Sequence, residues 1–408
     1  NEIYSALAVS DHEDSFVKLS DGKKYKITHG NFRGLLAELK EDKDRRKVLG
    51  AIFKGYEKFK NTYASIYTNV MKTEWANAKS RGFNSVLESK LFVRNIPTSV
   101  FMSLIETTRA NTEPVKKYYK LRKNDFGLKK IHTYDRFLEM SNSTRKYTYE
   151  EGKELFFASL EGMNEEFVNN QHRAVEDGYV DVYEKDGKVT GAYSSGIYGY
   201  HPYILLNYNN DLDNVFTLAH ESGHSAHTLF SNEAQPYATS DYAIFVAEIA
   251  STFNEHNLLD YMVAHATSKE ERICLLQKAI DDILSTYYRQ TLFANYEYEA
   301  FKLVEENKPV TEAELSKIMV DLYKDYYDID ITKEPGKQYI WAYIPHLFNT
   351  PYYVYQYATS FSASLKIYEN IKNNVPGAMD NYIKMLKAGG SQYPIDIVKL
   401  AGVDLSSK

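Results

Sequence analysis

The stretch Thr217–Phe230, TLAHESGHSAHTLF, holds three histidines and one glutamate, and it is useful chemically only as a helix. His220 and His224 are four residues apart, about 400° around a helix of 3.6 residues per turn, so a helix puts both imidazoles on one face. Two imidazoles on successive turns can grip one metal ion. Glu221, next to the first of them, is then aimed beside the ion, where a general base for hydrolysis belongs. Leu218, Ala219, Ala226, Leu229 and Phe230 supply an apolar side, and no proline interrupts 212–230. Asp211 or Asp213 is the expected N-cap after the turn-like YNND. The plain alternative is a buried helix whose histidines hydrogen-bond in the core; ligand spacing with the intervening glutamate favours metal.

A catalytic zinc needs a third protein ligand and an open fourth position. A third histidine ten residues after the first is excluded, because that position is Phe230. His227 is a rival, but at i+7 from His220 it lies a full turn beyond the pair. The stronger candidates are in DYAIFVAEIASTFNEHNLLDYM (Asp241–Met262), expected to be a second helix capped near Ser240 or Asp241. Glu248 and Glu255, seven apart, share a face there. Carboxylates among Phe245, Val246, Ile249 and Phe253 are costly unless partnered. A metal for one and a metal-ligating histidine for the other would supply those partners.

HESGHSAH followed by FVAEIASTFNE resembles the oligoendopeptidase F branch of the thimet-oligopeptidase-like zinc peptidases. The likeness extends to GKVTGAYSSGIYGYHPYILLNY (Gly187–Tyr208), WAYIPHLFNTPYYVYQYATSFSAS (Trp341–Ser364), YIKMLKAGGSQYPIDIVKLAGVDL (Tyr382–Leu405) and, more loosely, ANAKSRGFNSVLESKLFVRNIP. The resemblance implies one zinc per chain held by His220, His224 and Glu248, with Glu221 as base and Glu255 behind the ligands. It implies hydrolysis of internal bonds of short unstructured peptides by zinc-activated water. Gly191, Ala192 and Tyr193 would bind substrate as a strand edge. Tyr355 and His346 would stabilise the oxyanion. Phe348 stands where this branch often has a further tyrosine, which leaves a second phenol open, with Tyr352 the candidate substitute; Tyr352 is expected to contact substrate, while Tyr353 and Tyr357 are expected in the core.

The fold expected is mainly α: a large helical peptidase with a deep substrate channel and a small β-sheet beside the HExxH helix. Residues 1–178 form a helical N-terminal part and 179–408 the zinc-peptidase part. Members of the resembled branch carry a further helical segment ahead of DGKKYKITHGNFRGLL, so a sequence opening on Asn1 is expected to be a fragment or a short member. Helices are expected at 42–81, 99–121, 149–177, 269–307, 311–326, 351–372 and 377–387, with capping boxes at Thr148/Glu151 and Ser268/Glu271. The one clear β signal, YVDVYEKDGKVTGAY, predicts a hairpin turning at Asp186-Gly187, and a further strand is expected at 203–208.

Charge excludes some partners. With 49 basic and 55 acidic residues the balance is −6, and the sequence shows no dominant basic patch, which argues against nucleic acid. No apolar run approaches the length of a membrane span. The single Cys274 rules out an intrachain disulfide and suits a reducing cytoplasm. The tyrosines, 36 of them, suit a groove for peptide backbone and mixed side chains, although most are expected to be packing between helices. A zinc-binding chain without catalysis and a metal-free helical scaffold are the alternative readings.

Overall fold

The computed structural model describes residues 2–141, 145–189 and 191–406. The chain is mainly helical and divides into two compact units. The first takes in Asn1–Val93, Phe101–Met140 and Tyr288–Tyr355; the second takes in Arg94–Val100, Ser141–Tyr287 and Gln356–Lys408.

The first unit is built on helices Asp42–Lys58, Lys60–Ser80, Glu113–Asp125, Arg289–Glu305 and Glu312–Tyr327. Much of its tyrosine is packing, as expected: Tyr67 stacks on Tyr296 and Trp341, and Phe348 stacks on Tyr4 at 4.1 Å. Two buried arginines are held by partners. Arg45 reaches Asp135 at 3.0 Å, and Arg122 donates to the carbonyls of Asp135, Arg136 and Leu138. The single helix expected over 42–81 breaks at Phe59, and the next residue, Lys60, is held by the Tyr339 hydroxyl. The stretch 99–121 likewise divides, because Pro114 sits in the first turn of a new helix, where its missing N–H costs nothing. An antiparallel pair, β1 (Ser15–Lys18) with β2 (Lys24–Ile27), was not expected from the pattern.

The second unit centres on two long helices, Leu212–Ala234 (the motif helix) and Ile244–Ala264 (the carboxylate helix). Asp211 caps the motif helix by accepting from the Asn214 N–H at 2.9 Å. The carboxylate helix starts three residues later than expected, since Tyr242 is drawn off to stack on His227 at 3.6 Å. The Thr148/Glu151 capping box forms in full. At Ser268 only half of one forms, because the Glu271 carboxylate turns instead to Thr267, Tyr147 and Arg145. The helix expected over 149–177 is two, Tyr149–Ser159 and Glu165–Ala174, parted by Gly162 at φ 82° and recapped by Asn164.

Among the described residues the expected hairpin is not formed. Its turn exists, with Gly187 at φ 81°, but the flanking strands do not pair with each other. β5 (Tyr203–Leu205) lies between β3 (Val180–Asp181), which it pairs in parallel, and β4 (Tyr193–Ser195), which it pairs antiparallel. Ile204 and Leu206 carry the apolar contact to Leu218 of the motif helix, so the centre of the sheet goes to the strand that buries most. β4 is left as an edge.

One buried carboxyl in the first unit yields a pH test. Glu297 is 1 % exposed; one oxygen accepts the Tyr352 N–H at 2.8 Å and the other has no partner. Burial raises it to about 8, against the smaller opposing effects of that N–H and of Lys90. A folded-state pKa above the unfolded one means the folded chain binds the extra proton, so this group's contribution to stability falls as pH climbs from the ordinary glutamate range through about 8. Glu297→Gln should therefore gain on the parent chain between pH 5 and 8.5, by at most about 1.4 kcal/mol per pH unit. Denaturant midpoints across that range check it; a difference independent of pH would mean that Glu297 is ionised in the fold.

Candidate metal centre

The motif helix and the carboxylate helix touch through backbone at one point. A Cβ on Gly223, inside the HESGH motif, would lie 2.6 Å from the Ala250 carbonyl oxygen and 2.7 Å from the Ser251 Cα. Glycine is the residue that allows this approach. A polar tie fixes the pair: the buried Gln171 Oε1 accepts from Ser222 at 2.8 Å and from Asn254 at 3.0 Å, and Asn254 also donates to the Ala219 carbonyl.

This crossing brings three of the expected residues together. His220 Nε2 and His224 Nε2 are 3.1 Å apart, and Glu248 Oε2 is 3.5 Å from the first and 3.7 Å from the second. Among the described residues this is the group of histidines and carboxylates able to hold a metal ion. Glu255 Oε1 lies 2.5 Å from His220 Nδ1, so Nε2 is the nitrogen left facing Glu248. The donor set, two imidazoles and one carboxylate, suits zinc. His227, the rival ligand, is wholly buried, stacked on Tyr242, with neither ring nitrogen partnered.

Electrostatics follow the contacts. Burial disfavours a charged His220, but the Glu255 hydrogen bond and the charges of Glu255, Glu248 and Glu221 outweigh it and raise the ring to about 9. Burial and the neighbouring His220 push His224 well below its usual range. Desolvation works against a charged Glu255, which is part-buried, yet its bond to His220 and that ring's charge hold it below the ordinary glutamate value. Glu221 is 6 % exposed and is raised to about 7, chiefly by burial; the His220 charge and the Ser194 backbone N–H only partly offset this. Ser194 belongs to β4, which is also tied to the motif helix by Ser194 Oγ to Ser225 Oγ at 2.8 Å. Gly191, Ala192 and Tyr193 thus lead into or lie on the edge strand whose backbone touches Glu221, and Tyr193 is 47 % exposed.

His346, Tyr352 and Tyr355 belong to the first unit. His346 is half-buried and stacks on Tyr353 at 5.7 Å. The helix expected from Pro351 starts at Tyr355, because Tyr352 takes a left-handed φ of 59° held by Glu297. That shift reverses the expected burial. Tyr352 and Tyr355 are 4 % and 2 % exposed, both edge-on to Phe101, while Tyr353 and Tyr357 are half-buried. Sequence reasoning also missed Gly223, Gln171, Asn254 and the Ser194–Ser225 tie. Only Gly223 carried a signal, a helix-weakening residue within the motif.

The crossing predicts its own failure. Gly223→Ala must part the two helices, at a cost of about 1–3 kcal/mol, and should withdraw Glu248 from the histidines. Denaturant midpoints and zinc competition against a chelator read the two effects; full stability with unchanged affinity would show that the crossing has slack.

Residues 35–408 match the model for Peptidase family M3. The chain is 38 % identical to oligopeptidase PepF of Bacillus subtilis over 99 % of its own length, and it spans 60 % of that relative. It is 35 % identical to the group B oligopeptidase PepB of Streptococcus agalactiae, spanning 67 % of it. Among solved structures, a putative peptidase from Chlamydophila abortus aligns with a TM-score of 0.89 at 35 % identity, over the whole of this chain and 68 % of that one. Oligoendopeptidase-F from Enterococcus faecium aligns with a TM-score of 0.78 at 29 % identity, over all of this chain and 67 % of that one. A family match that takes in nearly the whole sequence, motif helix and carboxylate helix included, means that the chain belongs to peptidase family M3, alongside the oligoendopeptidases F.

Proposed function

We propose that this chain is a zinc-dependent oligoendopeptidase that hydrolyses internal bonds of short, unstructured peptides, with one zinc held by His220, His224 and Glu248. The observation that carries the reading is the convergence of two imidazole nitrogens and a carboxylate oxygen beside a buried carboxyl that meets an open strand edge. When bound, zinc supplies Lewis acidity, making a water acidic near neutral pH and polarising a carbonyl oxygen.

The chain's own residues do the rest. Glu255 holds His220 by Nδ1 and keeps Nε2 facing the ligand position. Glu221, next to His220 on the motif helix and with one carboxylate oxygen free of any partner, is the group to take a proton from the attacking water and pass it to the leaving amine. The free edge of β4, with Gly191, Ala192 and Tyr193, pairs with an extended peptide backbone. Tyr355 and His346 serve as oxyanion donors in this reading, on the strength of the segment's resemblance. No helix among the described residues is long and apolar enough to cross a membrane. We place the chain in the cytoplasm on composition, since a single cysteine, Cys274, suits a reducing compartment.

Elemental analysis should find one zinc per chain. Glu221→Gln should keep the zinc and the fold while kcat falls by about 10²–10⁴, since the amide matches the carboxylate's shape but cannot accept the proton. Turnover near the parent rate in that variant would remove Glu221 from the chemistry. Tyr355→Phe should lower kcat by about 10²–10³ with KM little changed, the usual effect of losing one oxyanion donor. A normal kcat there would return Tyr355, buried as it is, to the core.

A further inference from the structure

Four cationic side chains of the first unit rest on aromatic rings instead of carboxylates. The Arg33 guanidinium lies 5.7 Å from the Phe32 ring, Arg136 4.8 Å from Phe137, Arg289 5.0 Å from Phe293, and the Lys337 ammonium 5.3 Å from Phe53. Among the described residues no hydrogen bond or ion pair takes up any of these four side chains. Arg45 and Arg122 of the same unit, by contrast, are engaged by Asp135 and by backbone carbonyls. Local structure draws the four together. Phe32 meets Phe137 edge-on at 6.3 Å, so Arg33 and Arg136 ride on neighbouring rings. Glu334 accepts the Thr133 N–H at 2.8 Å, which ties the Lys337 segment to the turn Thr133–Phe137 that carries Arg136. Gly336, at φ 66°, runs so near Phe53 that a Cβ on it would lie 2.6 Å from the Phe53 Cβ, and this approach sets Lys337 over that ring. Lys337 Nζ is also 5.6 Å from the Tyr323 ring. We propose that Arg33, Arg136, Arg289 and Lys337 form a binding site for a doubly charged oxygen anion, either a phosphate group or a pair of carboxylates on one ligand.

The four charges are near enough to act on one another. Burial pulls the Lys337 ammonium down to about 7; the charge of Glu334 opposes this, and those of Arg289, Arg136 and Arg33 add to it. Arg289 is lowered as well, by burial and then by Arg136 and Arg33, with the Tyr323 and Tyr327 phenols opposing. Glu334, the carboxylate acting on this group, is already committed: it is 2 % exposed, holds the Thr133 N–H and hydroxyl, and faces His132 at 3.7 Å. Arg136, Arg289 and Lys337 are half-buried and Arg33 is exposed, so the site is enclosed on one side and open on another. An aromatic face attracts a cation but leaves its N–H donors unspent. An anion placed among these groups turns mutual repulsion into attraction. Guanidiniums offer forked donors that match phosphate and carboxylate oxygens. A lone carboxylate would leave most of the positive charge unmatched. A phosphate group carries about −1.5 to −2 near neutral pH, and a peptide ending in Asp or Glu brings two carboxylates on one residue.

The test is isothermal titration calorimetry at fixed ionic strength on the metal-loaded Glu221→Gln chain, which leaves peptides uncut. The probes are inorganic phosphate, a short peptide ending in a free Glu, and the same peptide with that Glu replaced by Gln and its terminus amidated. Phosphate or the Glu-ended peptide should bind saturably, one per chain, and the amidated peptide at least about 10-fold more weakly. Adding Arg289→Gln or Lys337→Gln should each weaken that binding by about 10–100-fold with metal content unchanged, the effect of losing charge-assisted hydrogen bonds. Arg33→Gln, at an exposed position, should act in the same direction and keeps the test decisive if a variant at a half-buried position fails to fold. Binding of phosphate without the peptide assigns the site to a phosphate-bearing ligand, and the reverse assigns it to a peptide end. Equal affinity in the parent and every variant would put the anion elsewhere, the metal centre included, and would overturn the site. So would the absence of saturable binding by both probes. None of these measurements reads turnover, so the outcome is independent of the peptidase reading.

Discussion

The site depends on a backbone contact that allows no Cβ. Gly223 on the motif helix faces the Ala250 carbonyl and the Ser251 Cα, and any larger residue there would collide with main chain unless the helices part. Helix axes in proteins lie about 8–10 Å apart according to the side chains at the crossing, and a glycine takes the lower end of that range. Across this contact Glu248 Oε2 lies 3.5 Å from His220 Nε2 and 3.7 Å from His224 Nε2. Gln171, reading Ser222 on one helix and Asn254 on the other, then fixes how each is turned about its axis. The candidate ligands His220, His224 and Glu248 face one another with a buried amide accepting from both helices.

Partners, more than burial, decide the charge state of the interior carboxyls. Glu255 is part-buried and Glu297 fully buried, and desolvation would raise both. Glu255 is held below the ordinary glutamate range because a histidine shares its proton, while Glu297, offered a single backbone N–H, is raised to about 8. Glu221 falls between, with one N–H from β4 and a positive His220 nearby. The three carboxyls illustrate one rule. A cation placed among the ligands would favour the charged forms of the surrounding carboxyls, which is the setting a catalytic metal needs.

Glu297 also shapes the segment that leads to Tyr355. Its carboxyl takes the N–H of a tyrosine in the left-handed region, a conformation that costs about 1–3 kcal/mol for a residue other than glycine. With Tyr352 turned that way the next helix begins at Tyr355, and the tyrosines expected to face outward pack against Phe101 instead. Phe348, at the position where the resembled branch often has a tyrosine, is likewise part of the aromatic core.

The sequence by itself determined the local terms. His220 and His224 at i and i+4, Glu248 and Glu255 at i and i+7, the Asp211 cap and the Thr148/Glu151 box all follow from spacing on a helix, which is set by nearest turns and needs no distant partner. Tertiary structure alone decided which strand sits in the middle of the sheet, where the carboxylate helix starts, how the stretch 351–355 turns, and that Gly223 is the crossing point. Each of those depends on residues far along the chain: Ile204 against Leu218, Tyr242 against His227, Glu297 against Tyr352, Gly223 against Ala250. Periodicity reports which face of an element is apolar. It does not report which other element will cover that face, because that choice is made by packing among all the elements at once.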